Sequence, residues 1–222
     1  MNVDLADQLS PQEARVVGAL IEKAGTTPDN YPLSTNALVA ACNQSTNREP
    51  VVDYSEREVD AIVLELRARH LARTLSGAGH RVSKHRHVVD ETLGLDGPTA
   101  AVLAVLLLRG PQTLNEITTR TERYSDGPGG DTEEVEAAID RLVNRDEPLA
   151  ARLDRQPGER EPRIVEIWTG EQQAPVMARP VEAPPSTPSS PASDLETRVS
   201  ALEEALAHQT ARLDALLDDL DA

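Results

Sequence analysis

One stretch of this chain is written twice. Shifted by 76 positions, Ser55-Glu56-Arg57-Glu58-Val59 through Leu66 realigns with Asp131-Thr132-Glu133-Glu134-Val135 through Leu142. Each stretch opens with a capping residue three positions ahead of a glutamate, Ser55…Glu58 and Asp131…Glu134, the spacing of a capping box. Each then sets apolar residues on one helical face: Val59, Ile62, Val63 and Leu66 in the first, Val135, Ala138, Ile139 and Leu142 in the second. A helix with a single apolar stripe must bury it against something, so two equivalent helices imply two equivalent surroundings.

The surroundings do repeat. Two helical patterns precede each copy, Pro11–Ala24 and Leu33–Cys42 in the first, Pro98–Arg109 and Thr113–Arg123 in the second, with Pro11 and Pro98 suited to a first helical turn. A strand, a turn and a strand follow: Leu71–Leu75, Gly77-Ala78-Gly79 and Arg81–Val89, then Leu149–Leu153, Pro157-Gly158-Glu159 and Arg163–Trp168. Three helices and a hairpin are the order of a winged helix, a helix-turn-helix variant. The expected fold class is mainly α (α+β), with winged-helix domains at 1–90 and 91–170; a pair of three-helix bundles with unrelated hairpins is the plainer alternative.

Beyond them, residues 171–193 are rich in Pro, Ser and Ala and read as a disordered linker. Residues 194–222 read as a short coiled-coil helix: Leu195, Val199, Leu202, Leu206, Leu213, Leu216 and Leu220 form a heptad seam interrupted by Gln209. The seam suits a homodimer; an amphipathic helix docked on its own chain has the same pattern.

The chain resembles the YceH-like bacterial proteins over about residues 8–170. The likeness is carried by Ile21-Glu22-Lys23, Thr26-Thr27-Pro28, Tyr31-Pro32-Leu33-Ser34, Ala41-Cys42-Asn43-Gln44, Thr46-Asn47-Arg48-Glu49-Pro50-Val51, Ser76-Gly77, Arg81-Val82 and Pro157-Gly158-Glu159-Arg160-Glu161. It thins at Lys84-His85-Arg86-His87. The resemblance implies two tandem winged helices and implies no activity.

Charge limits the function. The 222 residues carry 38 Asp and Glu against 22 Lys and Arg, a formal net of -16, so attraction to nucleic acid must be local. Residues 1–90 hold 12 acidic and 10 basic side chains, whereas residues 91–170 hold 16 and 9. No apolar run is long enough to span a membrane, the start Met1-Asn2-Val3-Asp4 is unlike a secretory signal, and a cytoplasmic protein is expected. The lone Cys42 closes an apolar helical run and reads as packing. No nucleophile signature, phosphate loop or convincing metal spacing appears, so no enzyme, cofactor or metal is expected. His80, His85 and His87 are better read as wing surface than as ligands.

Winged helices that read DNA place the third helix in the major groove and the wing on the neighbouring backbone. Helical geometry turns Arg57, Ala61, Leu64 and Ala68 outward in the first copy, and Glu133, Ala137, Asp140 and Asn144 in the second; neither face offers many base readers. The first wing differs. From Leu66 to Val89 there is no Asp or Glu, while Arg67, Arg69, Arg73, Arg81, Lys84 and Arg86 supply cations and His70, His80, His85 and His87 can add more at low pH. These arginines and the lysine, with Arg57, are the expected nucleic-acid contacts. The polar segment Asn43, Gln44, Thr46, Asn47, Arg48 and Glu49 between the second and third helices either grips a ligand or folds on itself. Two functions stay open: a regulatory protein that grips double-stranded DNA through the basic wing, and a protein-protein adaptor that uses Leu64 and the acidic third helices and never touches nucleic acid.

Overall fold

The computed structural model describes residues 8–77, 80–155 and 158–170, all within one compact unit. Its first copy runs α1 (Pro11–Thr26), a 3-10 turn (Pro28–Asn30), β1 (Leu33–Ser34), α2 (Thr35–Cys42), α3 (Glu56–Ala68), β2 (Ala72–Gly77) and β3 (His80–His87). A short α4 (Val89–Leu93) leads to the second: α5 (Gly97–Arg109), β4 (Gln112–Thr113), α6 (Leu114–Thr121), α7 (Thr132–Val143), β5 (Ala150–Arg152) and β6 (Arg163–Glu166). The result is mixed, mostly helical, with two small antiparallel sheets ordered β1-β3-β2 and β4-β6-β5. The linker at 171–193 and the heptad residues Leu195 to Leu220 lie outside the described residues.

Local chemistry sets the helix starts. Ser10 accepts from the Glu13 amide and returns its own N–H and hydroxyl to the Glu13 carboxylate at 2.8 and 2.9 Å, a full capping box ahead of Pro11. Ser55 and Glu58 repeat the arrangement at α3. The expected counterpart at α7 is one-sided: Asp131 accepts from the amides of Glu133 and Glu134, but the Glu134 carboxylate turns to Arg141 at 2.8 Å instead. Strands β1 and β4 were not expected. Each has only two residues, too few for any periodicity; β1 takes the first two residues of the segment that reads as a helix from Leu33, and β4 takes Gln112 and the first residue of the segment that reads as a helix from Thr113.

The two copies share one interior. In α1 every residue from Ala14 to Glu22 is buried, and in α5 every residue from Thr99 to Leu108, so both helices are enclosed on all sides. Gly18 makes their close approach feasible, because a Cβ there would stand 2.9 Å from Leu108 Cγ. Backbone hydrogen bonds cross between copies at Leu9 N to Trp168 O (3.0 Å), Glu49 N to Leu108 O (2.8 Å) and Ser125 N to Gly25 O (2.8 Å). Trp168 is sealed at 3% exposure, and Cys42 is fully buried, where desolvation pushes its thiol up to about 12.

Candidate functional site

The hairpin register decides which cations share a face. In β2 and β3, Arg73 lies opposite Arg86 and Leu75 opposite Lys84, so these four side chains project from the same side. Ala72, Thr74, His85 and His87 project from the other, toward α2 and the interior. His85 is buried between the hydroxyls of Thr35 at 3.0 Å and Thr74 at 3.1 Å, and burial holds its pKa below the usual imidazole value. His87 is also lowered, because burial outweighs Asp90, whose carboxylate stands 3.3 Å from Nδ1. Tyr31 donates no charge but braces this histidine, its hydroxyl accepting from the His87 amide at 2.6 Å. The expectation that His85 and His87 add surface cations is therefore corrected: they are inward-facing supports of the sheet.

The expected cations are spread over several environments. Arg57 and Arg67 are exposed on α3, and Lys84 is half-buried; among the described residues none of the three has a carboxylate at ion-pair distance. Arg69 closes the end of α3 by reaching back to Glu13 at 3.0 Å and to the Gln8 carbonyl at 3.3 Å. Arg73 and Arg86 share one carboxylate, Glu91 of α4, with Arg73 at 3.0 Å. The side chains of Arg81 and His80 lie outside the described residues. Glu91 sits just past the acid-free run, and only the turn into α4 brings it back to the hairpin.

Between α3 and β2 runs an open groove of about 540 Å³, bordered by Leu64, Arg67 and Ala68 on the helix and by Arg73 and Leu75 on the strand. Leu64 is 58% exposed and Leu75 38%. The second copy treats the corresponding face differently: Arg152 of β5 reaches Glu136 at 2.8 Å and Asp140 at 2.9 Å on α7, tying strand to helix across it.

The polar segment after α2 folds on itself. Asn43 exchanges two hydrogen bonds with the backbone of Tyr54, at 2.8 and 2.9 Å. Asn47 takes a left-handed backbone (φ 59°) and its amide oxygen accepts from Arg109, while the Glu49–Pro50 peptide is cis and Thr46 is exposed. Arg48 is the hub. Its side chain is fully buried, donating to the carbonyls of Ala41 and Asn47, to Gln44 Oε1 at 2.8 Å and to both oxygens of Glu22, at 2.5 and 3.3 Å. Arg123, from just beyond α6, reaches the same carboxylate. Burial alone would raise the Glu22 pKa, but Arg48 and Arg123 outweigh it and hold the group below the usual carboxylate value. Sequence spacing carried no sign of this triad, since its members are far apart along the chain.

Among the described residues no group of three His, Cys, Asp or Glu is placed to hold a metal ion, and no helix is long and apolar enough to cross a membrane.

Comparison with known proteins gives concordant results. Residues 9–159 match the family described as "Protein of unknown function, DUF480". A UPF0502 protein of Klebsiella pneumoniae subsp. pneumoniae is 44% identical over 218 residues, covering 96% of this chain and 98% of the relative. The UPF0502 protein YceH of Salmonella paratyphi A is 41% identical over 218 residues, with the same coverage, and a UPF0502 protein of Shewanella halifaxensis is 40% identical over 215 residues, 95% of this chain and 99% of its own. The similarity therefore extends past Gly170, farther than the motifs alone indicate.

Proposed function

We propose that this chain, which belongs to the DUF480 family, is a non-enzymatic tandem winged-helix protein that associates with duplex DNA in a regulatory role. The order helix, short strand, helix, helix, hairpin, found twice with a three-stranded sheet each time, supports the winged-helix reading. One observation carries the DNA reading: Arg73, Lys84 and Arg86 share a face of the first hairpin, with exposed Arg67 across the groove. These four cations answer to Glu91 and, on the groove rim, Glu65, so the surface keeps a local positive excess on an otherwise acidic chain. The charge arrangement, rather than the fold, supplies the attraction to phosphate. In the same reading the leucine heptad of the sequence joins two chains, and two weak sites gain effective concentration.

The test is a duplex titration by fluorescence anisotropy. Three phosphate contacts give a log-log salt slope of about -2.7, so affinity falls roughly forty-fold when salt rises fourfold. The triple variant Arg73→Glu, Lys84→Glu, Arg86→Glu abolishes binding, whereas Glu91→Gln, which releases two guanidinium groups, tightens it. No binding at low salt, or equal binding by the triple variant, ends the reading. A second reading, the protein adaptor, is favoured by the exposure of Leu64 and Leu75 along the groove. It predicts that Leu64→Glu destroys a protein complex and that the duplex never binds.

A further inference from the structure

Where α1, α5 and α6 meet, a pocket of about 180 Å³ is bordered by Glu22, Arg109, Thr119, Arg120, Arg123 and Tyr124. It shares no residue with the hairpin surface, and the function proposed above neither uses nor explains it. Three arginines from one short stretch of the second copy converge on it, with Arg48 of the first copy close behind Glu22.

The carboxylates present do not balance this charge. Glu22 is committed to Arg48 and Arg123, with Lys23 at 3.7 Å. Glu116 stands 3.5 Å from Arg120 and is shared with Arg163 at 3.2 Å. Among the described residues, the Arg109 side chain hydrogen-bonds only the neutral amide of Asn47. Burial pushes its pKa down, and the like charges of Arg120, Arg123 and Arg48 push the same way against the single opposing pull of Glu116. Three guanidinium groups thus line the pocket with a single carboxylate, Glu22, which Arg48 already occupies, an arrangement that costs free energy unless an anion offsets it.

Hydrogen-bond donors are left over as well. Tyr124 is 5% exposed, and its hydroxyl proton finds no acceptor, since the side chain nearest to it is the Arg123 guanidinium, itself a donor. Arg120 Nη1 is shut off from solvent, and its one acceptor, Glu116 Oε1, stands at the long distance of 3.5 Å. Buried donors normally find acceptors, and such exceptions call for an explanation. Planar guanidinium forks present paired donors that match the oxygens of a phosphate, and the charge excess favours a dianion over a monoanion.

We propose that this pocket binds the phosphate group of a small phosphate monoester, with Arg109, Arg120 and Arg123 as the charged donors and Tyr124 as a neutral one. Glu22, already locked to Arg48, orients Arg123 rather than competing for the ligand. The volume admits one phosphate and a few further atoms, which excludes a duplex backbone lying along the site. Because the loop carrying Asn47 and Arg48 contributes to the wall, the site joins the two copies, and occupancy tightens their contact.

The experiment titrates the full chain with inorganic phosphate, glycerol phosphate and succinate by calorimetry, with ionic strength held constant by sodium chloride. Phosphate and glycerol phosphate are expected to give saturable one-to-one heats and to raise the melting temperature. Arg120→Gln and Arg123→Gln each weaken binding about ten-fold or more, Tyr124→Phe by a factor of about three to ten, and Arg152→Gln, which ties β5 to α7 and does not line the pocket, leaves it unchanged. Circular dichroism checks that the variants fold. Independently of any variant, the wild-type chain broadens the phosphorus resonance of inorganic phosphate and excess glycerol phosphate restores it. Absence of saturable binding, undiminished binding by both arginine variants, or tighter binding of succinate than of phosphate overturns the proposal. DNA titration has no part in these outcomes, so the two proposals fail separately.

Discussion

Replacing Glu22 by glutamine isolates the ion pair at the centre of the fold. Glutamine keeps the shape and one carbonyl oxygen, so the change is nearly pure charge. Glu22 is 1% exposed and the Arg48 side chain not at all, with 2.5 Å between their closest atoms. Removing one partner of such a pair leaves a charge that water cannot reach, which costs about 3–5 kcal/mol. The lower end applies, since Arg48 retains the neutral acceptors Ala41 O, Asn47 O and Gln44 Oε1. For a unit of this size about 3 kcal/mol lowers the melting temperature by roughly 6–12 °C. Urea denaturation followed by the fluorescence of Trp168, the only tryptophan, measures it directly. The double variant Glu22→Gln, Arg48→Met is expected to lose much less than the two single losses combined. The pH dependence follows with its sign: the folded carboxyl titrates below the unfolded value of 4.5, so the pair's contribution is complete above that value and is lost as pH falls through the folded one. Glu22→Gln flattens that acid limb. A loss below about 1 kcal/mol, the range of exposed pairs, or strictly additive single losses would refute the reasoning.

Gly18→Ala gains about 1 kcal/mol of helix propensity but drives a methyl to 2.9 Å from Leu108 Cγ, and overpacking of this kind costs about 1–3 kcal/mol. Net destabilisation is expected in thermal unfolding, and a raised melting temperature contradicts the tight α1–α5 contact. His85 and His87 have folded pKa values below 6.5, so the unfolded chain takes up protons first and stability declines as pH drops from 6.5 toward the folded values. Unfolding free energies across that window, compared with those of His85→Gln, check this: an undiminished slope in the variant excludes His85 as a source.

The outline of the fold was readable because repetition multiplies weak signals. A single capping box before an apolar stripe is a modest indication, but Ser55 and Asp131 open the same pattern 76 positions apart and are followed by similar hairpins. The outward placement of Leu64 also followed from helical phase and holds, at 58% exposure. What stayed hidden depends on long-range geometry. The strands β1 and β4 exist only because β3 and β6 offer them an edge. Arg48 could be read either as gripping a ligand or as part of a loop folded on itself, and the partner that decides it, Glu22, comes from α1, 26 residues away. The hairpin cations were visible as a composition, but Glu91 beneath Arg73 and Arg86 required the turn into α4. The pocket formed by Arg109, Arg120 and Arg123 gives no local signal, because α5 and α6 must fold before those side chains converge.

The mutual enclosure of α1 and α5 has a consequence for how the polypeptide is made. A ribosome delivers α1 with its far flank bare, since α5, which packs on it through Leu107 and Leu108 at Gly18, is still being translated. The amino-terminal half therefore waits, oily side outward, for its twin to emerge. The two halves are thus alike in plan yet close their interior only against each other.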